Sequence, residues 1–130
     1  MRSDVRQKLI EVAKCQETIT YGELMEEFGI PRGHRKPGIG IGYVVGTISE
    51  HEHDRGRPLI SAIVVRAHSE RAICPNGAPG GGFFGLPGIP TRLMRPEKEW
   101  NKPLTNEDRK FVVAEQRKVW LYWQDRVHKK

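Results

Sequence analysis

Between residues 20 and 31 the chain reads TYGELMEEFGIP, and both ends of a helix are specified in that stretch. Thr20 and Glu23 have the T-x-x-E spacing, in which hydroxyl and carboxylate each satisfy a backbone N–H of the first helical turn. Gly29 supplies a left-handed stop, and Pro31 prevents continuation. The helix between them has about two turns, too few to be stable without tertiary packing. Its apolar residues, Leu24, Met25 and Phe28, therefore require partners from elsewhere in the chain.

The flanking sequence supplies them. Ser3 is positioned to cap a first helix, on which Val5, Leu9, Ile10, Val12 and Ala13 make a one-sided apolar stripe. After the second helix, PRGHRKPGIG carries two prolines and three glycines and reads as a loop. A third helix is expected from about Ile41 to His51, burying Val44, Val45 and Ile48. LISAIVVRA, residues 59 to 67, is the clearest strand in the chain, because it is rich in β-branched residues. RAIC, residues 71 to 74, is expected to pair back on it as a hairpin. Residues 68–90 hold six glycines and four prolines, and a stretch of that composition tends to be a functional loop. Thr105 and Asp108 cap a last helix through about Asp125, with Val112, Val119 and Trp123 on one face.

Helix, capped helix, turn, helix and hairpin in that order give an α+β class and a winged helix-turn-helix-like domain with a small β-hairpin, a long Gly/Pro-rich loop and an added C-terminal helix. At 130 residues the chain is read as one domain. It comprises a winged-helix-like core over 3–86, a linker over 87–104, a packing helix over 105–125 and a frayed tail over 126–130. LISAIVV is too short an apolar run to span a bilayer. MRSDVRQKL lacks the apolar centre of a signal peptide, so a cytoplasmic location is expected and no membrane partner. Cys15 and Cys74 make neither a disulfide framework nor a paired metal-ligand spacing.

Charge is unevenly spread. Residues 1–30 carry four basic and six acidic side chains, whereas residues 31–130 carry eighteen and ten, for a formal net charge of +6. A basic surface on the later part of the chain attracts a polyanion through counterion release, which makes nucleic acid the expected partner.

The order of these pieces resembles the DNA-binding domain of alkylguanine-DNA alkyltransferases and the alkyltransferase-like proteins, over about residues 5 to 86. ITYGELMEEFGIP is similar to that family's second helix and G-x-P turn. IGIGYVVGTI stands where its recognition helix falls, ISAIVVRA where its P-C-H-R-V strand falls, and PGGGFFGL where its glycine-aromatic loop falls. The resemblance implies that Tyr21 presses on a nucleotide phosphate and helps rotate the base out of the duplex. The family's wedge arginine falls on Ile39, its acceptor cysteine on Ser61, and the following His-Arg pair on Ala62 and Ile63. Alkyl transfer needs a thiolate with a base beside it, so this activity is disfavoured and no catalytic residue is assigned.

The resulting expectation is a non-enzymatic protein of the alkyltransferase-like type that binds duplex DNA through a basic helix-turn-helix face, in DNA repair, modification sensing or regulation. The residues expected at that interface are Tyr21, Arg32, His34, Arg35, Lys36, Tyr43, Ser61, Arg66, Phe83 and Phe84. Either phenylalanine can stack on an exposed base or anchor its loop in the core. No cofactor is expected. In EHEHD, residues 50 to 54, His51 and His53 are two apart and point to different sides of a helix, so no metal site is assigned. Two other functions fit the sequence. One is a protein-interaction adaptor using the Gly-Phe loop and the C-terminal aromatics Trp100, Trp120, Tyr122 and Trp123. The other is a nuclease or base-modifying enzyme using His51, His53 or Glu115.

Overall fold

The capping box at Thr20 forms. The Thr20 hydroxyl accepts the Glu23 N–H at 3.1 Å and the Glu23 carboxylate accepts the Thr20 N–H at 3.1 Å. At the other end Gly29 takes φ +65°, and the N–H of Ile30 reaches back to the Met25 carbonyl at 2.9 Å. This is a Schellman-type closure that turns Ile30 into the core. A computed structural model describes residues 1–31, 40–67 and 74–127, with side chains up to Gln124. Within it α1 spans Ser3–Lys14, β1 Ile19–Thr20, α2 Tyr21–Phe28, α3 Ile41–Asp54, β2 Val64–Val65 and α4 Asn106–Val127. The class is mixed α+β and mostly helical. None of the described helices is long and apolar enough to cross a membrane.

Several elements differ from the sequence expectation. Ser3 is the first residue of α1 rather than its cap. Arg2 holds the N-cap position without a side-chain capping bond, and the Asp4 carboxylate accepts the Val5 N–H at 2.9 Å. The expected strand over 59–66 is mostly a 3₁₀ turn, Ile60–Ile63, followed by only two strand residues. β2 pairs in parallel with β1, Ile19 opposite Val64 and Thr20 opposite Val65. Both β2 residues are buried, and a strand covered on both faces is an uninterrupted apolar run, as VV is here. Of the expected return strand over 71–74, residues 71–73 lie outside the described residues, and Cys74 is not in a strand.

Two apolar clusters organise the interior. The first joins Val5, Leu9 and Ala13 of α1, Leu24 of α2, Val44, Val45 and Ile48 of α3, and Val119 and Trp123 of α4. The second is built on Leu59, Ala62, Phe83, Phe84, Leu86, Ile89, Leu93 and Val112. Residues 87–104, expected as a linker, carry 3₁₀ turns at Thr91–Leu93 and Glu97–Glu99 and bury Ile89 and Leu93 in that second cluster.

α4 holds both clusters through buried polar side chains. The Glu115 carboxylate accepts the Leu59 N–H at 2.9 Å. The Gln116 amide donates to the carbonyls of Ala62 and Gly77, each at 3.0 Å. Irregular backbone that is buried must find such partners, and here the last helix provides them. Glu115 is thereby committed to the fold.

Candidate functional site

A cleft of about 760 Å³ opens between the start of α2, the first turns of α3 and the glycine-rich segment 80–86. Tyr21, Tyr43, Ser61, Arg66 and Phe83 all line it, with Trp100. Five of the six described residues expected at the interface are therefore gathered around one space. The sixth, Phe84, is fully buried in the second cluster, edge-on to Phe83 with ring centroids 5.3 Å apart. It is the core anchor of its loop. Arg32, His34, Arg35 and Lys36 lie outside the described residues. Pro31 and Gly40, which flank that segment in sequence, are both on the cleft wall.

Tyr21 stands at the first position of α2 because the capping box starts the helix one residue earlier. Its hydroxyl oxygen accepts the Gly80 N–H at 2.9 Å. The ring is partly exposed, but the hydroxyl is enclosed. Burial raises its pKa above the ordinary tyrosine value, partly offset by the Gly80 hydrogen bond and the charge of Arg66. The group therefore stays protonated at neutral pH. With one lone pair taken by Gly80, its O–H remains to donate.

Ser61 lies on the 3₁₀ turn after α3 and is 3 % exposed. The Ser49 oxygen accepts the Ser61 N–H at 2.9 Å, and the Ser49 hydroxyl donates to Ser61 Oγ at 2.6 Å. The group beside Ser61 Oγ is thus another serine hydroxyl and not a base that could take its proton, so Ser61 is not set up as an activated nucleophile. Ala62 and Ile63, which follow it, are fully buried and apolar. Ser61 nevertheless reaches the cleft lining.

The remaining wall is apolar, formed by Val45, Phe83 and Leu86, with Tyr43 on the exposed side of α3. Arg66 and Glu50, both exposed, bring one charge of each sign to the lining. An apolar space with a few directed hydroxyl donors and balanced charge suits a neutral, flat group carrying hydrogen-bond acceptors better than an anion.

His51 and His53 do not join a metal-ligand set, and no cluster of three or more His, Cys, Asp or Glu is found among the described residues. The residue between them has a different role. Glu52 is fully buried and pairs with Arg6 at 2.7 Å and with Arg57 at 2.5 Å, joining α1, α3 and the turn after α3. Arg6 also lies over the Trp123 ring, 5.7 Å from its centroid. The EHEHD spacing resembles a solvated helix end, and only the packing of α1 on α3 shows that its middle carboxylate is interior.

Trp100, read from the sequence as one of the C-terminal aromatics of the adaptor and not as a residue of the nucleic-acid interface, also lines this cleft. Its only sequence signal was an aromatic residue in a polar setting, EKEWNK. No family model, no curated protein and no solved structure matches the chain.

Proposed function

We propose that this is a non-enzymatic duplex-DNA-binding protein of the alkyltransferase-like type, its helices arranged as a winged helix-turn-helix and its cleft receiving a base turned out of the stack. The observation that carries this reading is the convergence of Tyr21, Tyr43, Ser61, Arg66 and Phe83 on one cleft. A nucleobase is neutral, flat and edged with acceptors, which matches what the lining offers. The basic stretch Arg32, Arg35 and Lys36 belongs in the same reading as the group that neutralises flanking phosphates, in keeping with the +6 charge.

The test is an electrophoretic titration of duplex DNA at two salt concentrations. Binding is expected to weaken steeply as salt rises. Replacing Arg32, Arg35 and Lys36 together with alanine is expected to weaken it by about tenfold to a hundredfold and to flatten the salt slope. Binding that is indifferent both to salt and to this triple substitution would remove the DNA reading and leave the adaptor reading in its place.

A further inference from the structure

Trp100 comes from a segment beyond residues 5–86, the part of the chain that resembles the alkyltransferase domain, yet it forms part of the cleft. The glycines that precede it in sequence are shaped around it. A Cβ on Gly81 would fall onto the Trp100 carbonyl oxygen. A Cβ on Gly82 would lie 3.6–3.9 Å from one half of the indole, and a Cβ on Gly85 would lie 3.1–3.5 Å from the other half. The ring therefore lies along bare backbone, in ordinary contact range of a Cβ at Gly82 and tightly against one at Gly85, while Gly81 lets the Trp100 backbone approach.

Its orientation is held from behind. The indole Nε1–H donates to the Arg95 carbonyl at 3.0 Å. Arg95 in turn donates through its guanidinium to the carbonyls of Lys102 at 2.7 Å and Pro103 at 2.9 Å, and pairs with the buried Asp108 carboxylate at 2.6 Å. The Arg95 N–H reaches the Phe84 carbonyl at 3.0 Å, and its guanidinium lies over the Phe84 ring. Asp108 is itself the capping partner of Thr105 at the start of α4. An aromatic ring that served only to fill space would be enclosed. Trp100 is half-exposed on the cleft, with its polar edge satisfied away from it and its angle set before anything binds. Such preorganisation reduces the ordering that binding would otherwise require.

We propose that Trp100 is the stacking wall of the cleft and the residue that makes it select a planar heteroaromatic ring over an aliphatic group or a bare sugar. This rests on the reading of the cleft as a base site. It adds a specificity determinant from the chain's own C-terminal part, with Arg95 as its positioning residue.

The probe is 2-aminopurine riboside, whose fluorescence falls when it stacks, titrated into the full-length protein, Trp100→Phe and Trp100→Leu. Wild type is expected to quench it saturably. Trp100→Phe is expected to bind a few-fold more weakly and Trp100→Leu at least about tenfold more weakly, with circular dichroism unchanged in both. No saturable quenching by wild type, or equal affinity in all three proteins, overturns the proposal. If Trp100→Leu does not fold, Trp100→Phe decides: an unchanged affinity and quench per bound riboside overturns it, and a reduced one supports it. The same proteins are then titrated with a duplex carrying one unpaired 2-aminopurine. Salt-dependent duplex binding without riboside quenching retains the DNA reading and removes the wall. Riboside quenching without duplex binding retains the wall and removes the DNA reading.

Discussion

Around Leu9, Leu24 and Ile48, helices bury regular stripes and close their own ends with neighbouring residues. Around Phe84 and Leu93, short irregular segments bury just as completely; single 3₁₀ bonds, such as the Phe83 N–H to the Gly80 carbonyl and the Leu93 N–H to the Pro90 carbonyl, satisfy some of their backbone groups, and others are satisfied from far along the chain. In the first region Thr20 and Glu23 cap a helix three residues apart. In the second, Gln116 reaches carbonyls 54 and 39 residues away, and Tyr21 reaches an N–H 59 residues away. A long helix satisfies most of its backbone internally, whereas the short 3₁₀ turns of the glycine- and proline-rich segments leave groups over, which must borrow donors and acceptors. The cleft lies where the two regions meet, so its lining draws on both.

The largest effect should come from the irregular region. Gly81→Ala places a methyl group on the backbone of Trp100, and because backbone cannot swing aside it is expected to cost about 3 kcal/mol or more. Chemical denaturation would measure this. A loss below about 1 kcal/mol would mean that the 95–103 segment shifts freely, so that the second region is looser than its burial suggests.

Glu52 sharpens the contrast from the other side, being the helical region's one fully buried carboxylate among the described residues. Burial by itself would raise its pKa. The hydrogen bonds and charges of Arg6 and Arg57 outweigh that, so the carboxyl titrates below the ordinary glutamate value near 4.5. A lowered pKa stabilises the fold above that value, and the contribution disappears as pH falls through the folded-state pKa. Glu52→Gln is expected to lose about 2–3 kcal/mol at pH 7, and its thermal midpoint should converge on that of the wild type as the pH is taken below about 4.5. A gap that stays constant into acid would show that the carboxylate charge is not what matters there.

Thr20→Ala should have the smallest effect. It removes one cap from a helix whose other end and packing are intact, at a cost of about 1 kcal/mol. A much larger loss, accompanied by altered cleft binding, would show that the start of α2 is set by Tyr21 and Gly80 rather than by the local box.

These differences explain what could be read in the letters alone. α2, α3 and α4 were legible because capping residues and apolar spacing act over one or two turns. Val64 and Val65 were legible as strand, but not the 3₁₀ turn before them, since Ile60–Ile63 takes its shape from α3, from Glu115 and from Gln116 rather than from its own β-branched composition. Of the described residues expected at the interface, Tyr21, Tyr43, Ser61, Arg66 and Phe83 line one cleft, whereas Phe84 is buried in the second cluster. Trp100 was legible only as an aromatic that could dock a partner, and Glu52 was not legible. Their surroundings depend on residues dozens of positions away, and a tryptophan among charges or a glutamate between histidines carries no local mark of that.

The Tyr21–Gly80 bond has one more consequence. A molecule that accepts a hydrogen bond from the tyrosine O–H leaves the oxygen more electron-rich, so that it holds the glycine N–H more tightly, while an occupant that instead donates to that oxygen competes with Gly80 outright. In both cases filling the space alters the fastening between α2 and the loop.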